Sequence, residues 1–389
     1  MLPFPQLVQY GNIAPQPLPI KKLLTHNNSV FVLMFSGQLY VRGFNTSGQL
    51  GVGSTTNVTT WTLSTTSVDD LWVGGTSTLI RKYDGSYMFA GNNTGVGNAN
   101  GTSTTTWAAW TVKDTLTLGI IDIALSTGSI SVLLEDGTIK SAGIGSNGQL
   151  GNNTTTNNIV GSFVDSIIPV GVTPVSLLAS NTMHGFIGDN NRLYHTGLIN
   201  AANTVSPGTA QYTTYTLNPV IGSTNAVLSY MNNSNGLAMG LIRTSGNVVR
   251  MYFGGSKIFG QMADGVNGSL SNLKAFGDFT GTPYPSGTIL DIATGYSYYA
   301  QMVITSTGIF AAGRNTGEQA GALSTGIASE ALTYTSCVLP SGFDTTNAKV
   351  SMCQGRTYLT DGNFIYSSGT LTTYGGPSTT TFILDDPRY

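Results

Sequence analysis

The chain has 389 residues, 50 of them glycine, and only 9% are Asp, Glu, Lys or Arg, against about 25% in an ordinary soluble domain. No apolar run approaches the roughly 20 residues of a bilayer-spanning helix, and the 40% of hydrophobic residues, clustered along the whole length, exclude a disordered chain. A net charge of -2, from 16 basic and 18 acidic residues, leaves no surplus for neutralising phosphates, so neither nucleic acid nor membrane insertion is expected.

In chain order, residues 1–20 come first and contain no Lys or Arg. They lack both the basic start and the continuous apolar stretch of a secretory signal, and read as an N-terminal extension or ring-closing segment ahead of a single domain, 21–389. Seven short strands then follow, each leaving a turn and ending in glycine. Their closing glycines are Gly43, Gly91, Gly143, Gly197, Gly254, Gly313 and Gly369, about 54 residues apart on average. A fixed period of that size signals a repeat architecture.

A second series runs in step with the first. Trp61, Trp110, Phe163, Tyr215, Phe276, Tyr334 and Phe382 each follow a closing glycine in a short β-rich run. Two further apolar runs precede each Gly-turn strand, such as Ile120–Ala124 and Ile130–Leu134 in the third unit. Every unit therefore reads as four strands, A to D, separated by Gly, Asn, Ser or Asp-Gly turns. No stretch keeps a 3.6-residue apolar period for ten residues. Seven such units predict an all-β chain, a seven-bladed β-propeller of four antiparallel strands per blade, in preference to a linear solenoid, which would need polar capping repeats. Ring closure is expected to bring the last strand, near Phe382, and the segment before Lys21 to the same blade.

After the closing glycine the chain reads Gly43-Phe-Asn-Thr-Ser-Gly-Gln-Leu-Gly51 and Gly143-Ile-Gly-Ser-Asn-Gly-Gln-Leu-Gly151, with partial copies after Gly91, Gly254 and Gly313. Preceding Asp-Gly turns stand at Asp84 and Asp136. This pattern resembles the repeat of the RCC1 (regulator of chromosome condensation) family of seven-bladed propellers; units four and seven lack the long element. Its glycines suit positive φ angles, its Asn and Gln side chains suit loop backbone, and its leucine suits burial, so the element reads as architectural.

The resemblance implies an exchange-factor role for the founding member, which would require a basic tail that residues 1–20 do not supply. Other relatives act as protein inhibitors. Chemistry has little to stand on: of three histidines, His184 and His195 lie in strands and His26 at a turn. Asp69-Asp70 and Asp385-Asp386 do not resemble a calcium loop. No catalytic residue, metal site or cofactor is expected. Cys337 and Cys353 are too sparse for a disulfide scaffold and read as free thiols. The N-x-[ST] triplets are no more frequent than chance allows in a chain this rich in Asn, Ser and Thr.

In an up-and-down blade the A to B and C to D connections share one face, which is expected to carry the only long loops. Aromatics without a counterpart in the other units are the binding candidates there: Trp107, Tyr212, and Tyr296, Tyr298 and Tyr299 in the sixth unit's A to B turn. The low-charge Gly/Thr/Ser/Asn composition, the missing signal and the divergent repeats together lead to one expected role. It is a non-enzymatic bacteriophage virion protein, assembled in the host cytoplasm, that contacts other virion proteins and decorates the particle or binds a host surface protein or saccharide. The alternative is a protein-binding scaffold or enzyme inhibitor of the RCC1-like type, and a third reading is an unrecognised hydrolase.

Overall fold

A computed structural model describes residues 19–218 apart from 27, 99–102, 180–181 and 200–209, and then 226–230, 240–245, 248–256, 263, 265–266, 273–278, 285–294, 300–315, 330–353, 355–369, 375 and 379–389. These residues form seven four-stranded antiparallel sheets, each from consecutive strands. Blade one is β1 (Ile20–His26), β2 (Ser29–Met34), β3 (Leu39–Gly43) and β4 (Val58–Thr65). Blade two is β5 (Val68–Val73), β6 (Ser77–Lys82), β7 (Tyr87–Gly91) and β8 (Thr104–Ala109). Blade three is β9 (Ile120–Leu125), β10 (Ser129–Leu134), β11 (Ile139–Gly143) and β12 (Val164–Asp165), and blade four β13 (Pro174–Ala179), β14 (Met183–Gly188), β15 (Leu193–Ile199) and β16 (Ala210–Leu217). Blade five is β17 (Ala226–Tyr230), β18 (Gly240–Ser245), β19 (Val248–Ser256) and β20 (Leu273–Asp278). Blade six is β21 (Ile289–Thr294), β22 (Ala300–Thr305), β23 (Gly308–Arg314) and β24 (Glu330–Ser336); blade seven is β25 (Lys349–Cys353), β26 (Arg356–Thr360), β27 (Ile365–Gly369) and β28 (Thr379–Leu384). The helical elements among the described residues are two 3₁₀ turns, Thr94–Val96 and Thr111–Thr115.

The A strands form the innermost circle: β1 touches β5 and β25, β9 touches β5 and β13, and β21 touches β25. The B strands are the apolar heart of each blade. Every residue of β2, β10, β14 and β22 is buried. The core consists of separate clusters, each shared by two neighbouring blades. Val30, Val32 and Met34 of blade one meet Tyr358 and Ile365 of blade seven, and Phe31, Leu33 and Val41 meet Leu71 and Ile80 of blade two. Alternate residues of one strand thus serve opposite neighbours, as the period of two requires.

The closing glycines have a single physical cause. Gly43 and Gly143 hold φ near 111° and 103°, and a Cβ on either would overlap the carbonyl oxygen of the residue preceding the B strand, Asn28 or Gly128. At this point the C to D register slips by two residues in blades one, two, four, six and seven, as between Val41–Thr62 and Gly43–Val58. In blade five the slip falls at Gly255, one residue beyond the glycine expected from the sequence.

The long element is built as its residues suggest. Asn45 Nδ2 donates to Ser54 O at 2.8 Å and Asn45 Oδ1 accepts the Leu50 N–H at 2.9 Å. Gln49 and Gln149 accept the N–H groups of Ser47 and Asn147 at 3.1 and 2.9 Å. Leu50 and Leu150 are buried beneath.

Of the segment before Lys21 only residues 19 and 20 are described: the Ile20 N–H donates to Gly362 O of blade seven at 2.8 Å, and the rest of that segment lies outside the described residues. One expectation needs correction: long loops are not confined to one face, because the D to A connections 110–119, 166–173 and 337–348 lie at the opposite end, with the B to C turns.

Candidate interaction surface

The register of the D strands places the aromatic series. In every blade the residue two before the closing glycine pairs with the residue that follows the D-strand aromatic: Val41 with Thr62, Phe89 with Ala108, Ser141 with Val164, His195 with Thr216, Phe253 with Gly277, Ala311 with Thr335 and Ser367 with Ile383. The series is therefore Trp61, Trp107, Phe163, Tyr215, Phe276, Tyr334 and Phe382. Blade two was misaligned by three residues in the sequence, and Trp107, read there as unmatched, is the true counterpart. Trp107 packs against the blade-one cluster of Phe31, Leu39 and Leu50, and its indole N–H donates to Ser64 Oγ at 2.9 Å. Trp110 is buried beyond the end of β8, where it donates to Val96 O at 2.8 Å and meets Phe163 edge to face.

Of the other binding candidates, Tyr212 is half-buried with its ring edge to face on His195, centroids 5.0 Å apart. Tyr296, Tyr298 and Tyr299 lie outside the described residues.

Of the titratable groups singled out in the sequence, His184 and His195 are buried and the two aspartate pairs are ion-paired. His184 is fully buried between Ser129 Oγ at 2.9 Å and Ser131 Oγ at 2.6 Å. A Ser–His contact invites a catalytic reading, but burial pushes this imidazole down to about 3, the partners are neutral hydroxyls, and no solvent reaches it. Burial likewise takes His195 down to about 3. Asp69 accepts Lys21 Nζ and Arg81 Nε, both at 2.9 Å, and Asp70 pairs with Lys22. Asp385 holds Arg42, and Asp386 holds Arg388 at 2.6 Å. Cys353 is a free, buried thiol. Among the described residues no group of three His, Cys, Asp or Glu is placed to hold a metal ion.

What remains is a surface. In blades one to four and six the B to C turn is tied to the residue preceding its own A strand, as in Tyr83 N–H to Ser67 O, Glu135 N–H to Gly119 O and Asp189 N–H to Thr173 O, at 2.8 to 3.0 Å. These bonds bring the B to C turns and D to A connections into one end of the ring. There Phe35, Tyr83, Leu118, Ile121, Ile167, Val170 and Val175 are exposed, on blades one to four. The Tyr83 hydroxyl donates to Phe35 O at 2.9 Å, which fixes the two aromatics beside each other. Two shallow clefts open on this end, one lined by Ser67, Lys82, Tyr83, Asp84 and Met88, the other by Tyr87, Lys113, Leu116, Leu118 and Ile120.

Charge is segregated in the same way. The described A to B and C to D connections of blades one to three, 44–57, 74–76, 92–98, 126–128 and 144–163, contain no Asp, Glu, Lys or Arg. Among the described residues of blades one to four, every charged side chain except the buried Arg42 belongs to the half nearer the B to C turns.

No protein-family model matches the chain, and no curated protein matches it by sequence. Its fold is that of the RCC1-like propellers. Prp20p from Saccharomyces cerevisiae, described with its binding properties to Gsp1p and histones, superposes with a TM-score of 0.70 at 14% identity, covering 96% of this chain and 87% of that one. The yeast RCC1 (Prp20) bound to Kap60 gives 0.67 at 13% identity, covering 95% and 84%. Human WBSCR16 gives 0.63 at 15% identity, covering 86% and 85%.

Proposed function

We propose that this protein is a non-enzymatic, protein-binding scaffold of the RCC1-like type whose contact surface is the B to C end of blades one to four. The observation that carries this reading is the concentration of exposed aromatic and aliphatic side chains on that end of a rigid ring, a pattern that marks interaction sites on soluble proteins. Neighbours in fold that bind proteins, Gsp1p, histones and Kap60 among them, support it by analogy. Chemical cross-linking in the native source followed by affinity capture tests it. A partner protein recovered in near-stoichiometric amount is the expected result, and recovery of no protein would contradict it.

A virion setting is the second reading, favoured by the 9% charge content and the Gly/Thr/Ser/Asn-rich composition. In that setting the partners are other virion proteins, or a host surface protein or saccharide. Mass spectrometry of purified particles decides it: detection of the chain supports this setting, and its absence removes it.

A further inference from the structure

We propose that the B to C end of blades one to four docks a cationic protein segment, with the segment's apolar side chains on Phe35, Tyr83 and Leu118 and its Lys or Arg side chains on four turn carboxylates. The proposal rests on the scaffold reading and specifies its partner. The carboxylates are Asp84, Glu135, Asp136 and Asp189, at the B to C turns of blades two, three and four, and all four are exposed. None forms an ion pair; Arg192, in the same blade-four turn as Asp189, forms none either, whereas the other cations around them are engaged elsewhere. Lys21 and Arg81 hold Asp69, and Lys22 holds Asp70. Lys113 pairs with Asp114 and Lys140 with Asp165. Lys82 is turned onto Thr65 Oγ1, at 2.7 Å, and Thr66 O.

Hydrogen bonds from Ser86 and Thr138 hold the Asp84 and Asp136 carboxyls below the usual carboxylate range, so both are ionised at neutral pH. Exposed negative charge in excess of the free cations at these turns, interleaved with fixed apolar side chains, is complementary to a partner that is basic and amphipathic, because such a partner satisfies both features at once. The same charge repels nucleic acid and anionic lipid surfaces. The carboxylates stand on three separate blades, which suits an extended contact and not chelation of one ion. The opposite end offers no such complementarity, since its described connections in blades one to three are uncharged.

The test uses the full chain and three labelled 14-residue peptides: an amphipathic Lys/Leu peptide, the same with Glu for Lys, and the same with Ser for Leu. Fluorescence anisotropy at low and physiological salt should show binding of the Lys/Leu peptide, none of the Glu form, and at least tenfold weaker binding of the Ser form. The combined substitution Asp84→Asn, Glu135→Gln, Asp136→Asn and Asp189→Asn lies on exposed turns. It should weaken the Lys/Leu peptide at least tenfold and flatten its salt dependence while the melting temperature holds. The pair Phe35→Ser and Leu118→Ser should weaken it about tenfold with little change in salt dependence. Equal binding to wild type and the fourfold variant would overturn this docking surface and leave the scaffold reading intact. Failure of the Lys/Leu peptide to bind would also overturn the surface, while failure of native capture would overturn the scaffold reading itself.

Discussion

Arg42 in blade one and Asp385 beyond the last strand of blade seven form a buried ion pair across the seam that closes the ring. Arg42 Nη1 lies 3.0 Å from Asp385 Oδ1, and the side chains are 4% and 7% exposed. The guanidinium sits 4.3 Å from the centroid of Trp61, whose indole N–H donates to Asp385 O at 2.9 Å. Ser367 Oγ donates to the same carboxylate at 2.6 Å. Arg42 Nε alone lacks a hydrogen-bond partner; the paired charges tolerate burial, but either partner left alone becomes an uncompensated charge.

Arg42→Met or Asp385→Asn is therefore expected to destabilise the ring by about 3–5 kcal/mol. The double substitution should cost less than the sum of the two. Urea unfolding of the four proteins of this cycle measures both quantities; additive losses would show that the two groups are uncoupled.

The aromatic register leads to a second expectation. Trp110→Ala empties a fully buried site between blades two and three and should cost about 3–5 kcal/mol. Trp107→Ala removes a half-buried indole that covers Leu50 and Gly51 and should cost measurably less, though more than a substitution at an exposed loop. Thermal melts of the two variants would contradict the register if Trp107→Ala left stability unchanged.

Acid sensitivity follows from the buried histidines. Both folded-state values, about 3 for His184 and His195, lie below the unfolded value of about 6.5. The unfolded chain therefore takes up protons first as pH falls. The stability contribution is complete above about pH 6.5 and declines toward pH 3, at up to about 1.4 kcal/mol per pH unit for each histidine. Neither ring nitrogen of His195 has a hydrogen-bond partner. His195→Phe should accordingly be neutral or stabilising at pH 7 and should reduce the slope of the urea midpoint between pH 7 and pH 4. An unchanged slope would contradict this.

Much of the ring was legible in the sequence because the features that build a blade are local. Gly43 and its equivalents Gly91, Gly143, Gly197 and Gly369 recur because the chain there passes too close to a neighbouring carbonyl for any side chain, and Asn45, Gln49 and Leu50 serve their own loop. The Arg42–Asp385 pair was not legible, since the two residues are 343 positions apart and nothing around either resembles the other. Trp107 was misread because Trp110 also falls beside a β-rich run, and only the ladder slip at Phe89 and Gly91 distinguishes them. Exposed Phe35, Tyr83 and Leu118 were not legible in the sequence. Phe35 and Tyr83 stand on short B to C turns, Leu118, Ile167 and Val170 on D to A connections, and no periodicity announces which of these residues stay exposed.

A closed ring underlies both the seam and the surface beside it, and deletion of residues 379–389 tests closure most directly. The deletion removes β28, Phe382 of the blade six–seven cluster and Asp385 of the seam in one step. Amide hydrogen exchange of β10 in blade three, far from the deletion, is the readout. Loss of its protection together with that of blade seven is the expected result for a ring that unfolds as one unit. Native protection of β10 in a chain that has lost only blade seven would show that the blades stand independently and that the ring is not closed in the way described.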